Sequence, residues 1–142
     1  MSILDLDRIQ VQASVADKAE AIQKAGELLV SSGCVQPKYV AGMLTREESM
    51  STYLDNGVSI PHGMQENKED VIKTAISVLQ IPEGVEWEPG EMVYLVVGIA
   101  ASSDDHISVL EELAEVVEDE DRIRSLWKTE DPELILKELV AG

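Results

Sequence analysis

Met92–Ala101, MVYLVVGIAA, is the longest apolar run in the chain. It is too short to span a bilayer, which takes about 20 residues. It is rich in β-branched residues and apolar at successive positions rather than alternate ones. That pattern predicts a central strand covered on both faces. The flanks on both sides fit that reading. C-terminal to the run, a polar stretch, Ser102-Ser103-Asp104-Asp105, leads to His106 and the start of a helix. Ile107, Leu110, Leu113, Ala114 and Val117 form one helical stripe, and Leu134, Ile135, Leu139 and Val140 form another, so the last forty residues read as helical. N-terminal to the run, Pro82-Glu83-Gly84 reads as a turn and Thr74–Ile81 as a weakly alternating strand. Before that, Asn56-Gly57 is a turn signal, Val58-Ser59-Ile60 a short strand, and Pro61 its end.

The first fifty residues supply two more helices. Ala21, Ile22, Ala25, Leu28 and Leu29 recur at helical spacing between Asp17 and Ser32, with Ser14 as the expected N-cap and Gly33 as a natural stop. A second helix is expected from Pro37, a favoured first-turn residue, to about Glu48, with Val40, Met43 and Leu44 on one face. Ile9–Val11 could add a short strand. Helices before, between and after strands predict an α/β fold in which residues 1–142 form a single domain, a small mixed β-sheet with helices on both faces.

Charge narrows the function. The 142 residues hold 28 acidic and 11 basic side chains, a formal net charge of -17. Phosphate-backbone binding needs clustered Lys and Arg, so nucleic acid and anionic membranes are poor partners for this chain. Attraction to basic partners is the corresponding expectation. The one cysteine, Cys34, cannot close an internal disulfide or build a cysteine-based metal site, and a small inert apolar role is expected for it. The N-terminus carries acids where a signal peptide carries basic residues and an apolar segment, which predicts a cytoplasmic chain that is not itself embedded in a membrane. No nucleotide-binding glycine loop, zinc-protease motif or calcium loop is present, so no cofactor or metal is expected from motifs.

The chemistry-bearing residues are few. The only histidines, His62 and His106, each sit where the chain leaves an expected strand. Ligands in α/β sheets gather beyond the carboxyl ends of strands, so both imidazoles reach one rim if the two strands are parallel neighbours. Pro61 stiffens the approach to His62, and Gly63 leaves room beside it and an N–H to offer to an anion. A neutral imidazole in such a place suits a nucleophile for a phosphoryl group; a plain strand-to-loop turn is the competing reading. Arg46 offers a planar guanidinium, the usual partner of phosphoryl oxygens, although spacing alone favours an exposed Arg paired with a Glu on its own helix, where Glu47 and Glu48 adjoin it. Trp87 and Trp127 read as packing anchors and the five methionines as gap fillers. Nine acids between Asp104 and Asp121, with no Lys or Arg among them, read either as a solvated helix face or as a field that steers a basic partner.

Two strings together resemble a known family. Arg46–Gly63, REESMSTYLDNGVSIPHG, resembles the signature of the enzyme IIA domain of mannitol/fructose type in the bacterial phosphoenolpyruvate-dependent sugar phosphotransferase system. Val93–Val117, VYLVVGIAASSDDHISVLEELAEVV, resembles that family's second motif, and the mannitol branch more than the nitrogen-regulatory one. EAIQKAGELLVSSGCVQPKYV and IPEGVEW extend the likeness over nearly the whole chain. The resemblance implies that His62 is phosphorylated on Nε2 (the tele nitrogen), with Arg46 and His106 beside it to stabilise the phosphoryl group. It implies HPr as donor, a cysteine of enzyme IIB as acceptor, and no cofactor. The chain would then be a free-standing IIA component of a sugar, and by branch a mannitol, transport system. A regulatory phospho-switch of nitrogen type, binding targets according to His62 phosphorylation, is the alternative. Because the group must pass on, a shallow, exposed site with an apolar rim is expected, with the Gly63 N–H as a further donor.

Overall fold

The computed structural model describes residues 3–101 and 106–140, and for Gln65, His106, Ile107 and Val140 the backbone only. Five strands form one mixed sheet: β1 (Ile9–Gln10), β2 (Tyr53–Asp55), β3 (Val58–Ser59), β4 (Ala75–Glu88) and β5 (Glu91–Ala100), in the order β1-β4-β5-β3-β2. β4 and β5 are antiparallel, β1 runs parallel to β4, β3 runs parallel to β5, and β2 is antiparallel to β3. The Met92–Ala101 run is central, as its composition predicts. Val93, Leu95, Val96, Val97, Ile99 and Ala100 of β5 are all almost fully buried.

Among the described residues, five α-helices cover the sheet. α1 (Lys18–Ser31) and α2 (Tyr39–Ser49) lie on one face, where Ala21, Ile22, Ala25, Leu29 and Met43 pack with Leu79, Val96 and Ala100. α3 (His106–Glu118), α4 (Glu120–Arg124) and α5 (Pro132–Val140) lie on the other, where Leu113, Ile123, Ile135 and Leu139 pack with Val78, Leu95, Val97 and Ile99. Alternate β5 side chains therefore enter opposite layers, which is why the run has no polar face. This is the α/β arrangement expected: a mixed sheet with helices on both faces.

Several local expectations need correction. Asp17, not Ser14, caps α1: its carboxylate accepts the Glu20 N–H at 2.9 Å, and Glu20 Oε1 accepts the Ala16 N–H at 2.6 Å. A carboxylate placed immediately before the helix also meets the helix dipole. Pro82-Glu83-Gly84 is not a chain reversal. β4 continues through it to Glu88, with a register shift between Gln80 and Val85 and Gly84 at φ +80°. A proline with no N–H to offer and a left-handed glycine are absorbed as a bulge, and the hairpin turns instead at Pro89-Gly90. β2, Tyr53–Asp55, is a strand beyond those expected from the sequence. By contrast, the Asn56-Gly57 turn is present, with φ of 49° and 75° at successive residues, the pair a type I′ hairpin requires.

Candidate functional site

β3 and β5 are parallel neighbours, with Val58 opposite Leu95 and Ser59 opposite Val96. Their carboxyl ends therefore open on the same rim, which meets the condition set for the two histidines to lie near one another in the fold. His62 lies just past β3 and makes one further parallel bridge to Ile99 at the end of β5. The backbone of His106 opens α3, the element that follows β5. Its side chain lies outside the described residues, as do Ser102–Asp105.

The segment carrying His62 is stitched to its neighbours on both sides. The Ile99 N–H donates to the Pro61 carbonyl at 2.9 Å. The Gly63 N–H donates to the Tyr39 hydroxyl at 2.9 Å, and that hydroxyl donates to the Ile99 carbonyl at 2.8 Å. Tyr39 is 4% exposed and sits in the first turn of α2. Burial pushes its hydroxyl pKa above the ordinary value of 10, the Gly63 N–H works against that, and the Asp70 carboxylate adds to it. At neutral pH Tyr39 is thus an O–H able to accept from one backbone group and donate to another.

These bonds correct two expectations. The His62 ring is not broadly exposed; it retains 9% exposure, because the 61–63 segment is drawn against β5. The Gly63 N–H is directed to Tyr39 rather than to open space. What Gly63 supplies is room: a Cβ there would stand 2.5 Å from Tyr39 Cε1 and 2.8 Å from Cζ. Its backbone is not left-handed, so only the close approach selects glycine.

The imidazole tautomer follows from its neighbour. Nδ1 of His62 lies 2.9 Å from the Ile60 carbonyl oxygen. A carbonyl can only accept, so Nδ1 carries the proton and Nε2 holds the lone pair. This backbone contact orients the ring and, in the neutral imidazole, places the proton on Nδ1.

Arg46 is in the last turn of α2. Its Nη1 donates to the Met50 carbonyl at 2.7 Å, and among the described residues it makes no ion pair with Glu47 or Glu48. The bond pins the guanidinium to the loop that leaves α2. That loop joins the histidine segment where the Ile60 N–H donates to the Thr52 carbonyl at 3.0 Å. Met50 itself is 67% exposed, an apolar side chain at the point where the arginine is held.

Glu47 departs most from its expected place. It is not a solvated neighbour of Arg46 but a buried carboxylate, 6% exposed. It accepts the Thr52 N–H at 2.9 Å, the Thr52 hydroxyl, and the Trp87 indole N–H at 3.1 Å, and Lys18 Nζ lies 3.7 Å away. Trp87 and Cys34 are buried, consistent with packing roles. The described acids of α3 and α4, among them Glu111, Glu112, Glu115 and Glu118, are exposed, a solvated face. No group of His, Cys, Asp or Glu among the described residues could hold a metal, and no described helix is long and apolar enough to cross a membrane.

Comparison with known proteins agrees with this geometry. Residues 2–141 match the model of the family "Phosphoenolpyruvate-dependent sugar phosphotransferase system, EIIA 2". The chain is 45% identical over 133 residues to a multiphosphoryl transfer protein of Xanthomonas campestris, covering 94% of this chain and 16% of that one. It spans less than a third of the length of the first curated relatives it matches. It is 38% identical over 126 residues to the mannitol-specific phosphotransferase enzyme IIA component of Bacillus subtilis, covering 89% of this chain and 88% of that one. Among solved structures, enzyme IIAMTL of Escherichia coli, determined in complex with phosphorylated enzyme IIBMTL, superimposes over 100% of both chains with a TM-score of 0.94 and 38% identity. A buried, oriented imidazole at the parallel-strand rim and a family match over nearly every residue lead to one conclusion: the chain belongs to the EIIA 2 family of the phosphoenolpyruvate-dependent sugar phosphotransferase system.

Proposed function

We propose that residues 1–142 act as one cytoplasmic IIA domain that accepts a phosphoryl group on Nε2 of His62 from phospho-HPr and passes it to a cysteine of enzyme IIB in a mannitol transport system. The observation that carries this reading is the 2.9 Å contact between His62 Nδ1 and the Ile60 carbonyl. It leaves Nε2 as the attacking nitrogen and stabilises the positive charge that the ring acquires as the P–N bond forms. In the first step the phosphorus–nitrogen bond on the HPr histidine breaks as the bond to Nε2 forms. In the second, that bond breaks as phosphorus bonds to the acceptor sulfur. The transition state spreads negative charge over three equatorial oxygens, so positioning and cationic donors supply most of the catalysis.

Arg46 and His106 are assigned as those donors. Arg46 is supported by its anchorage on the loop that pairs with Ile60. His106 is supported by its position at the start of α3, beyond the end of β5. Gly63 is assigned a different part from the one expected, close packing that keeps Tyr39 against the histidine segment. The exposed Met50 side chain fits an apolar rim for transient docking partners.

The test is transfer of labelled phosphate from phosphoenolpyruvate through enzyme I and HPr. Wild type is expected to take up an acid-labile label and pass it to IIB, and His62→Ala none. Arg46→Ala and His106→Ala are expected to slow transfer by roughly 10²- to 10³-fold, the range for losing one stabilising donor. Full labelling of His62→Ala would overturn the assignment.

A further inference from the structure

The buried carboxylate of Glu47 has no part in phosphoryl transfer as proposed above, yet it touches the loop that holds Arg46. Its partners come from three separate elements: Lys18 of α1, Thr52 of the loop after α2, and Trp87 of β4. Thr52 is bound on both sides. Its N–H and hydroxyl donate to Glu47, and its carbonyl accepts from Ile60. The Ile60 carbonyl in turn faces His62 Nδ1. Two residues earlier in the same loop, the Met50 carbonyl holds the Arg46 guanidinium at 2.7 Å. One continuous run of hydrogen bonds therefore connects the carboxylate of Glu47, through Thr52 and Ile60, to the imidazole, and the guanidinium hangs from the same loop.

We propose that Glu47 is a positioning residue that sets the Arg46 guanidinium in register with the His62 imidazole. The chemistry suits the task. A carboxylate offers about four lone-pair sites and can accept several donors at once, where a neutral amide presents N–H groups to half of them. Charge-assisted bonds from backbone N–H, hydroxyl and indole hold a short loop more firmly than neutral ones, and Lys18 supplies compensating charge at the edge of the site. The Arg46 bond to Met50 is only as fixed as residues 50–52. Without Glu47 the loop keeps the Ile60–Thr52 bond and the bonds to the Arg46 carbonyl from the Met50 N–H at 3.3 Å and the Ser49 hydroxyl at 2.9 Å.

This inference rests on the role proposed for Arg46, and a double-mutant cycle separates the two. The measurement is the single-turnover rate of His62 phosphorylation by phospho-HPr in wild type, Glu47→Gln, Arg46→Ala and the double variant, each confirmed as folded by near-UV circular dichroism. Displacement of a catalytic group by about 1 Å costs on the order of 10²-fold, so Glu47→Gln is expected to slow the reaction at least about tenfold. In the Arg46→Ala background it should change the rate by less than about twofold, because the group it positions is gone. Glu47→Asp should recover part of the lost rate. If Glu47→Gln fails to fold, Thr52→Val removes the hydroxyl donor and keeps the side-chain shape; it is expected to slow wild type and leave Arg46→Ala unaffected. A folded Glu47→Gln at the wild-type rate, or a slowing that multiplies undiminished onto Arg46→Ala, would overturn the proposal while leaving Arg46 in place. An Arg46→Ala rate equal to wild type would overturn the role of Arg46 itself, and this proposal with it.

Discussion

Replacing Gly63 by alanine isolates the close approach on which the His62 segment depends. The added methyl would lie 2.5 Å from Tyr39 Cε1, 2.8 Å from Cζ and 3.1 Å from the hydroxyl oxygen, against an ordinary contact of 3.4 Å or more. The ring cannot yield cheaply. Tyr39 is 4% exposed, and its hydroxyl is fixed between the Gly63 N–H and the Ile99 carbonyl. Overpacking in a filled interior costs about 1–3 kcal/mol. If the ring retreats, two hydrogen bonds stretch, each worth about 1 kcal/mol. Alanine returns about 0.4–1 kcal/mol by restricting the unfolded chain, since the backbone here is not left-handed. The net expectation is a loss of about 2–3 kcal/mol, read as a lower urea midpoint with an unchanged slope. Because the clash is with one ring, adding Tyr39→Ala should give a double variant more stable than the sum of the two single losses by about 1 kcal/mol or more. A loss below about 0.5 kcal/mol, or strict additivity, would refute the claim that Tyr39 selects glycine at this position.

Three other perturbations have expected outcomes. Tyr39→Phe leaves the Gly63 N–H and the Ile99 carbonyl short of a partner and should cost about 1–3 kcal/mol at pH 7. Burial raises the Tyr39 pKa in the folded state, so its contribution is present below about pH 10 and is lost as pH rises through the folded value; the gap between wild type and Tyr39→Phe in urea titrations should narrow above pH 10, with Tyr53 unchanged in both. A gap of constant size up to pH 12 would contradict that sign. Arg8 is 2% exposed, with Nε donating to the Ile76 carbonyl and Nη2 to the Ile3 carbonyl, so Arg8→Ala should cost roughly 3 kcal/mol or more by thermal or urea unfolding, and Arg8→Lys should not restore it because one ammonium cannot match the fork. Gly57→Ala forces a side chain into φ +75° and sets its Cβ 2.8 Å from Tyr94 and 2.9 Å from Trp127, so a loss of about 2–4 kcal/mol is expected together with a change in tryptophan emission as the Tyr94–Trp127 stack opens.

The fold was legible where one local pattern dominated. Met92–Ala101 announced a strand buried on both faces, the apolar stripes announced α1 to α3, and Asn56-Gly57 announced its hairpin turn. It was less legible where tertiary pairing overrode local signals. Pro82-Glu83-Gly84 looks like a turn, yet β5 offers a partner on its far side, and the chain bulges rather than reverses. β2 is three residues long and exists because β3 lies beside it. At the site, His62 stood out through Pro61 and Gly63, and Arg46 through its chemistry. Glu47 left one unread sign: it falls at the next position of the Val40, Met43, Leu44 stripe, where a carboxylate on a core-facing row calls for buried donors.

By itself, then, the order of residues determined the strands and helices with strong periodicity, the two-sided covering of the sheet, and the candidate reacting side chains, because those depend on neighbours within a few positions. Only the tertiary structure decided which nitrogen of His62 holds the proton, that Tyr39 occupies the Gly63 amide, and that Glu47 is buried beneath the loop holding Arg46. The last two depend on groups 24 and 40 residues apart in sequence, Gly63 with Tyr39 and Glu47 with Trp87, meeting at hydrogen-bond distance, and the first on the angle at which the His62 ring meets a carbonyl two residues away. Hydrogen bonds fall off within a fraction of an ångström of their optimum, so no spacing rule along the chain can report them.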